Sequence, residues 1–458
     1  MIFSVHVSRF ISLFSFLQLV LWPILLVFAP SKVGAIDIDV NDVDSIKHAS
    51  WVFAHGLMTY YNGNQTGQTP GMFVGPYYWW EAGGAWGSLL DYWFYTGDET
   101  YNDLVSSSLL FQVGNDWNYM PSNQTTSEGN DDQAFWGFTV MAAAERNFTN
   151  PPRDQPQWLE LAQTVFDSMA QRWDTSTCGG GLRWQIFQFN NGYDYKNTIS
   201  NAGLFMMAAR LARYTENATY IEWAERTWDW TEGVGLLDTE NYYFYDGGDT
   251  SDNCTEITDL QWTYNAAIFL AGSAYLYNYT ESDVWQQRTQ NILDGISVFF
   301  KSDTGVLFEA ACEQSNTCDT DQKSFKAYMG RFLGLTAVLA PFTADTIQTH
   351  LTQTAAGVAQ SCTGGSDGVT CGTSWIVDGW DNSWGLGQQM SALEVTQNLL
   401  VHTVPAPYTA ANGGSSPGNS SGRTSRSSVT TTADRAGAGI VTSVILLMML
   451  GATWWMAL

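Results

Sequence analysis

One mark of punctuation recurs through this chain and limits what it can fold into. An apolar run ends in an aromatic residue followed by threonine, and the chain restarts on polar residues within a few positions. The instances are Tyr95-Thr96, Phe148-Thr149, Tyr214-Thr215, Tyr279-Thr280 and Phe342-Thr343. The last four aromatics, at 148, 214, 279 and 342, lie 66, 65 and 63 residues apart. So even a spacing signals a supersecondary unit repeated along the chain. Polar starts such as Gly97-Asp98-Glu99, Glu216-Asn217 and Glu281-Ser282-Asp283 follow the threonines. Amphipathic stretches come next: Tyr101–Phe111, Trp158–Trp173, Tyr220–Trp230 and Trp285–Phe300. Apolar residues at helical spacing after such starts predict helices, and short turns between helices make antiparallel neighbours.

Counting both members of each pair predicts twelve helices. They fall at Val40–Tyr61, Gly83–Thr96, Glu99–Gly114, Asp131–Asn147, Pro156–Asp174, Asn197–Tyr214, Ala218–Glu232, Thr258–Tyr279, Glu281–Ser302, Lys323–Ala340, Ala344–Gln360 and Asn382–Val401. The first has no partner before it and the twelfth none after it. If those two meet, six hairpins close into a ring. The expected fold is therefore all-α, an (α/α)6 barrel spanning residues 36–410. Strand signals are confined to two short ribbons, Gly181–Asn190 and Asn241–Tyr245.

The links between helices are unequal. Those at the aromatic-threonine end are short. Those at the other end are long: Asn115–Asn130, Thr175–Lys196, Leu237–Ile257, Asp303–Gln322 and Ser361–Asp381. Long loops in a compact domain are uncommon unless they carry function. All six cysteines and many aromatics, Trp117, Trp184, Tyr193, Tyr195, Tyr242, Tyr243, Tyr245, Trp375 and Trp380 among them, lie in these loops. The loops thus mark one face of the barrel as active, and the inner helices begin at that face. One of these starts reads Gly129-Asn130-Asp131-Asp132-Gln133-Ala134-Phe135-Trp136-Gly137. Asn130 has the character of an N-cap, and acidic residues in a first turn complement the helix dipole. The same two carboxylates at the mouth of an aromatic-lined pit also suit glycosidic hydrolysis, which needs one group to attack and one to move a proton. Consecutive Cα atoms are about 3.8 Å apart, which lets two carboxyls reach the roughly 5–5.5 Å separation of retaining glycosidases.

Acidic residues outnumber basic ones 45 to 19, for a formal net charge of -26. Phosphates would be repelled, so nucleic acid is a poor partner. A neutral polysaccharide fits better, and 21 Trp and 21 Tyr supply flat faces for sugar rings. Residues 1–35 read as a signal peptide: Arg9, an apolar run from Ile11 to Phe28, and a small-residue end at Val33-Gly34-Ala35. Residues 411–435 form a Ser/Thr/Gly-rich stalk and 436–458 an uncharged apolar tail, the pattern of a GPI-attachment signal. Asn419 is the expected attachment residue. The chain is accordingly expected to be secreted and GPI-anchored to the outer plasma membrane face or the cell wall. Sequons stand at Asn64, Asn123, Asn147, Asn217, Asn253, Asn278 and Asn419. The cysteines are expected as disulfides: Cys312–Cys318 and Cys362–Cys371 are near enough to pair locally, which leaves Cys178–Cys254. No residue set has metal-ligand spacing, and neither a metal nor a cofactor is expected.

The Asp131-Asp132-Gln133-Ala134-Phe135-Trp136 stretch resembles the twin-aspartate motif of glycoside hydrolase family 76, the α-1,6-mannanases. Four further stretches fit the same family in order. They are Trp79-Trp80-Glu81-Ala82-Gly83-Gly84-Ala85-Trp86, Tyr195-Lys196-Asn197-Thr198-Ile199-Ser200-Asn201, Gln261-Trp262-Thr263-Tyr264-Asn265 and Asp378-Gly379-Trp380-Asp381-Asn382. With both end signals, the chain is similar to the fungal GPI-anchored branch, implicated in attaching GPI-anchored glycoproteins to the wall. The resemblance implies a retaining mechanism with Asp131 as nucleophile and Asp132 as acid/base. It implies a donor in α-mannan or the GPI glycan, with water or cell-wall glucan as acceptor, and a monomer. Trp79 and Trp80 are expected to stack on mannose, Lys196 and Asn197 to bind hydroxyls or a phosphate, and Tyr264, Asn265 and Asp381 to contact sugar. Two rival readings are a non-catalytic mannan-binding wall protein and an (α/α)6 glycosidase of other specificity.

Overall fold

The computed structural model describes residues 36–413. The expected signal peptide, Asn419, the apolar tail and all but the first residues of the stalk lie outside the described residues. Within them the chain forms twelve α-helices: α1 (Val43–Met58), α2 (Trp79–Thr96), α3 (Asn102–Phe111), α4 (Asn130–Glu145), α5 (Trp158–Ala170), α6 (Thr198–Thr215), α7 (Ala218–Gly233), α8 (Thr263–Thr280), α9 (Asp283–Gly295), α10 (Phe325–Leu339), α11 (Ala344–Ser361) and α12 (Leu386–Gln397). The even-numbered helices pack side by side in order, and α12 closes the ring against α2. The odd-numbered helices pack outside them, and α1 lies against α12, so the first and last helices do meet. The fold is an (α/α)6 barrel.

The two rings differ in sequence because they differ in burial. An outer helix hides one stripe; in α5 it is Trp158, Leu161, Ala162, Val165, Phe166 and Met169. An inner helix is buried nearly all round, as α6 is from Thr198 to Ala212. Six helices around one axis leave little room, and glycine supplies it: a Cβ at Gly84 would fall on the Tyr328 hydroxyl, and one at Gly272 on the Phe205 ring.

Inside the ring each inner helix contributes one strongly polar side chain to a buried network: Asp91, Glu145, Arg210, Tyr275, Arg331 and Glu394. The Arg210 Nη2 donates to Glu145 Oε2 at 2.6 Å, and the Tyr275 hydroxyl donates to the same oxygen at 2.9 Å. Arg331 Nη2 donates to Glu394 Oε1 at 2.6 Å, and its Nε lies 3.4 Å from Asp91 Oδ2. Arg146 completes the set by pairing with Asp91. Three acids thus meet three arginines.

Several starts differ from expectation for identifiable reasons. Helix α2 begins at Trp79 rather than Gly83, because the Glu81 carboxylate accepts the Tyr78 N–H at 2.7 Å and caps the earlier turn. Helix α8 begins at Thr263 rather than Thr258. The intervening segment is a strand, β4 (Ile257–Gln261), paired antiparallel to β3 (Tyr243–Asp249). Residues 382–385 remain loop, and α12 starts at Leu386. The ribbon expected near Asn241–Tyr245 is real but longer, with β1 (Tyr195–Asn197) and β2 (Leu237–Asp238) also antiparallel to β3. The one expected at Gly181–Asn190 is a turn held by isolated bridges, Arg183 with Lys196 and Gln185 with Gly129.

All three expected disulfides form, with Cys178–Cys254 tying two of the long loops together. The six sequon asparagines among the described residues, Asn64, Asn123, Asn147, Asn217, Asn253 and Asn278, are exposed.

Candidate active site

The N-termini of the inner helices and the long loops enclose a cavity of about 680 Å³. Asp131 and Asp132 line it from the first turn of α4. The cap of that helix is Gly129, not Asn130 as expected. The Asp132 Oδ2 accepts the Gly129 N–H at 2.7 Å, so Asp132 both caps the helix and faces the cavity. Asn130, one position inside, is a brace: its Nδ2 donates to the Arg183 carbonyl and its Oδ1 accepts Arg172 Nε–H, both at 2.8 Å. Arg172 also donates to the Gln133 side chain. One guanidinium therefore grips the residues on either side of the aspartate pair.

The two carboxyls have different surroundings. Asp131 accepts the Trp184 indole N–H at 3.1 Å and the Ser200 hydroxyl at 3.3 Å. Burial pushes its pKa up to about 7, while these donors and the first-turn amides hold it from rising further. Asp132 is driven well above the usual carboxylate range, first by burial and next by the charge of Asp131. A buried acid disfavours its charged form, and a like charge alongside adds to that. Both carboxyls therefore favour the protonated form more than a free aspartate does, and Asp132 the more strongly, because hydrogen bonds offset part of the burial of Asp131.

Four of the other expected residues reach the cavity. Trp79 lies with its ring stacked on Trp136 at 5.2 Å and its N–H on Gln112 at 3.0 Å. Trp80 donates its indole N–H to Asp321 at 2.8 Å. Tyr264 stacks on Phe325 at 3.7 Å. Asn197 lines the wall while its side chain caps α6, accepting the Ser200 N–H at 3.3 Å.

Three do not. Lys196 is fully buried, and its ammonium donates to the carbonyls of Asp174, Thr177 and Gly180 at 2.7, 2.8 and 2.7 Å. It also pairs with the Asp174 carboxylate at 3.3 Å, which leaves nothing for a sugar or phosphate. Asn265 is fully buried and off the cavity wall, as expected of a helix neighbour of Tyr264 turned about 100° away. Asp381 binds its own loop, accepting N–H groups of Ser374 at 2.8 Å and Ser383 at 2.9 Å.

Sequence reasoning missed three carboxylates, Asp246, Asp319 and Asp321, which also line the cavity. Asp246 accepts the Trp262 indole N–H at 2.9 Å and the Tyr195 hydroxyl at 2.8 Å. Burial raises its pKa, and burial likewise pushes Asp321 up to about 6. Asp131, Asp246 and Asp321 are thus each held by an indole N–H. The available signal was position: Asp319 and Asp321 lie just ahead of α10, and Asp246 lies in β3, in the long connection that leads to α8. Five aspartates line the cavity, and among the described residues no Lys, Arg or His does.

This arrangement supports acid/base-assisted nucleophilic chemistry on a ligand with stackable faces and many hydroxyls. The sequence profile of glycosyl hydrolase family 76 matches residues 45–411. The chain is 55% identical over 430 residues to an Eremothecium gossypii protein named mannan endo-1,6-alpha-mannosidase DCW1, covering 92% of this chain and 95% of the relative. Its likeness to the Candida albicans protein of that name is 56% over 435 residues, 93% and 96% of the two chains. A crystal structure of Dfg5 from Chaetomium thermophilum, in complex with glucosamine, superposes with a TM-score of 0.82 at 42% identity, covering 86% of this chain and 98% of that one. The GH76A α-1,6-mannanase of Salegentibacter sp. HEL1_6 shares the fold alone, at a TM-score of 0.62 and 19% identity, with 77% and 98% covered. With twin aspartates at the mouth of an (α/α)6 barrel and these matches along nearly its whole domain, the chain belongs to glycosyl hydrolase family 76.

Proposed function

We propose that the chain is a retaining endo-α-1,6-mannosidase or transglycosidase acting on α-1,6-linked mannose of wall mannan or of the GPI glycan. The carrying observation is that two consecutive carboxyls meet opposite demands in one cavity. Asp131, the better hydrogen-bonded, attacks the anomeric carbon while Asp132 gives its proton to the departing glycosidic oxygen. The glycosidic bond breaks and a mannosyl ester forms on Asp131. That esterification removes the charge next to Asp132, whose carboxylate then takes a proton from the incoming hydroxyl. Water as acceptor gives hydrolysis, and a sugar hydroxyl gives transfer.

The curated relatives are named for mannan endo-1,6-α-mannosidase activity, which supports the linkage. Five cavity aspartates without a cation also suit a glycan bearing a protonated amine, such as the unacetylated glucosamine of a GPI core. The Chaetomium thermophilum relative was solved with glucosamine. In this reading the chain is a secreted, GPI-anchored monomer at the outer plasma membrane face or wall. It joins GPI-anchored glycoproteins to wall glucan.

The test is to incubate the protein with a labelled α-1,6-mannohexaose, alone and with β-glucan oligosaccharides. Shorter products of retained anomeric configuration are expected, or longer ones when an acceptor is present. Cleavage of glucans only, with the mannoside untouched, would overturn the assignment.

A further inference from the structure

The Asp378-Gly379-Trp380-Asp381-Asn382 motif does not reach the cavity, yet it is built with care. Asp381 accepts the N–H groups of Ser374 and Ser383 at 2.8 and 2.9 Å and the Ser383 hydroxyl at 2.7 Å. The Ser383 oxygen in turn accepts the Thr373 N–H at 2.8 Å. The Trp380 indole N–H closes the turn on the Ser383 carbonyl at 2.7 Å. Its ring lies so close over Gly364 that a Cβ there would collide with it. Gly364 belongs to a small hairpin with Thr370 inside the Cys362–Cys371 loop. Every part of this knuckle is fixed, and what it presents is Trp384, 63% exposed, with its ring 6.4 Å from that of Trp380.

An indole held in a fixed orientation on a loop offers a flat face of the kind that stacks on a sugar ring. Its position says what binds. Two residues after Trp384, the Leu386 N–H donates to the Tyr77 hydroxyl at 3.0 Å. The next residue, Tyr78, is 52% exposed and lines the cavity. Two short steps link Trp384 to the cavity wall: its neighbour Gly385 packs against the Tyr77 hydroxyl, and Tyr77 directly precedes Tyr78. A glycan leaving the cavity on that side meets a flat apolar face, which stacks on a sugar ring whatever its hydroxyl pattern.

We propose that Trp384, held by the Asp381 knuckle, is an outer subsite that stacks on sugars of the bound glycan beyond those next to Asp131 and Asp132. This rests on the proposed mannan reading, and the experiment separates the two. Binding of α-1,6-mannobiose and α-1,6-mannohexaose is measured calorimetrically in an Asp131→Asn background, with and without Trp384→Ala. The expected result is a loss of about two- to tenfold in hexaose affinity, the size of one aromatic stack, with mannobiose unchanged. Trp384→Phe restores most of it. Equal weakening of both sugars, no weakening of the hexaose, or no hexaose binding at all overturns the subsite. Turnover of the hexaose by the unsubstituted chain tests the activity separately: binding that depends on Trp384 without turnover sinks the enzyme reading and leaves the subsite standing.

Discussion

Acidic side chains are buried at two levels of this barrel, and the surroundings differ completely. Deeper in the ring, Asp91, Glu145 and Glu394 are met by Arg146, Arg210 and Arg331 within ion-pair distance. At the mouth, Asp131, Asp132, Asp246 and Asp321 have no cation within that distance, and indole N–H, hydroxyl and amide donors hold them instead. A paired buried acid stays charged and joins helices. An unpaired one gains protons and becomes reactive. One level fixes the shape and the other leaves free energy available for chemistry.

The largest expected effect breaks the mouth and spares the ring. Asp132→Asn removes the transferable proton but keeps an oxygen for the Gly129 N–H. Its kcat should fall roughly 10²–10⁴-fold, and Asp131→Asn, which removes the attacking group, should fall at least as far. Neither should lower Tm, because each replaces an unpaired buried acid by a neutral amide. A Tm drop matching the lost activity would mean that the pair serves the fold, and the contrast between levels would fail.

Next comes the reverse experiment. Glu145→Gln leaves the Arg210 guanidinium, 2% exposed, without its carboxylate. Breaking a buried pair from one side costs about 3–5 kcal/mol, read as a lower denaturant midpoint. The kcat of the folded fraction should be unchanged, and a kcat loss at full folding would show that the two levels communicate.

How much of this could be read from the sequence follows the same division. The ring closure was legible because a hairpin repeats locally, and unequal links alone marked the active face. Asp131 and Asp132 were legible because they are adjacent and open an inner helix. Asp246 and Asp321 were not, because their meaning comes from partners such as Trp80, which stands 241 residues from Asp321. Lys196 misled for a related reason: beside the cap of α6 it looks free, and the three carbonyls that take its ammonium are loop atoms no pattern reveals. The arginine–acid ring left a trace that was not used, in single charged residues inside otherwise apolar runs, such as Glu145 and Arg210.

The smallest expected effect sharpens the comparison within the mouth. Asp321 is held up at about 6, chiefly by burial, with Asp319 adding to the rise and the Trp80 N–H opposing it. A carboxyl whose folded pKa exceeds its ordinary value of 3.8 binds protons more tightly when folded. Its contribution to stability is complete below that ordinary value and is lost as pH rises through about 6. Asp321→Asn should therefore flatten the fall of Tm across that window. Asp321 also raises the pKa of Asp132 by its charge. Removing the charge lets Asp132 lose its proton at lower pH, so the alkaline limb of the pH–rate profile should move down while its maximum stays nearly the same. An unmoved limb would mean that Asp132 does not feel the cavity's other acids. The mouth would then be a set of separate carboxyls rather than one shared field.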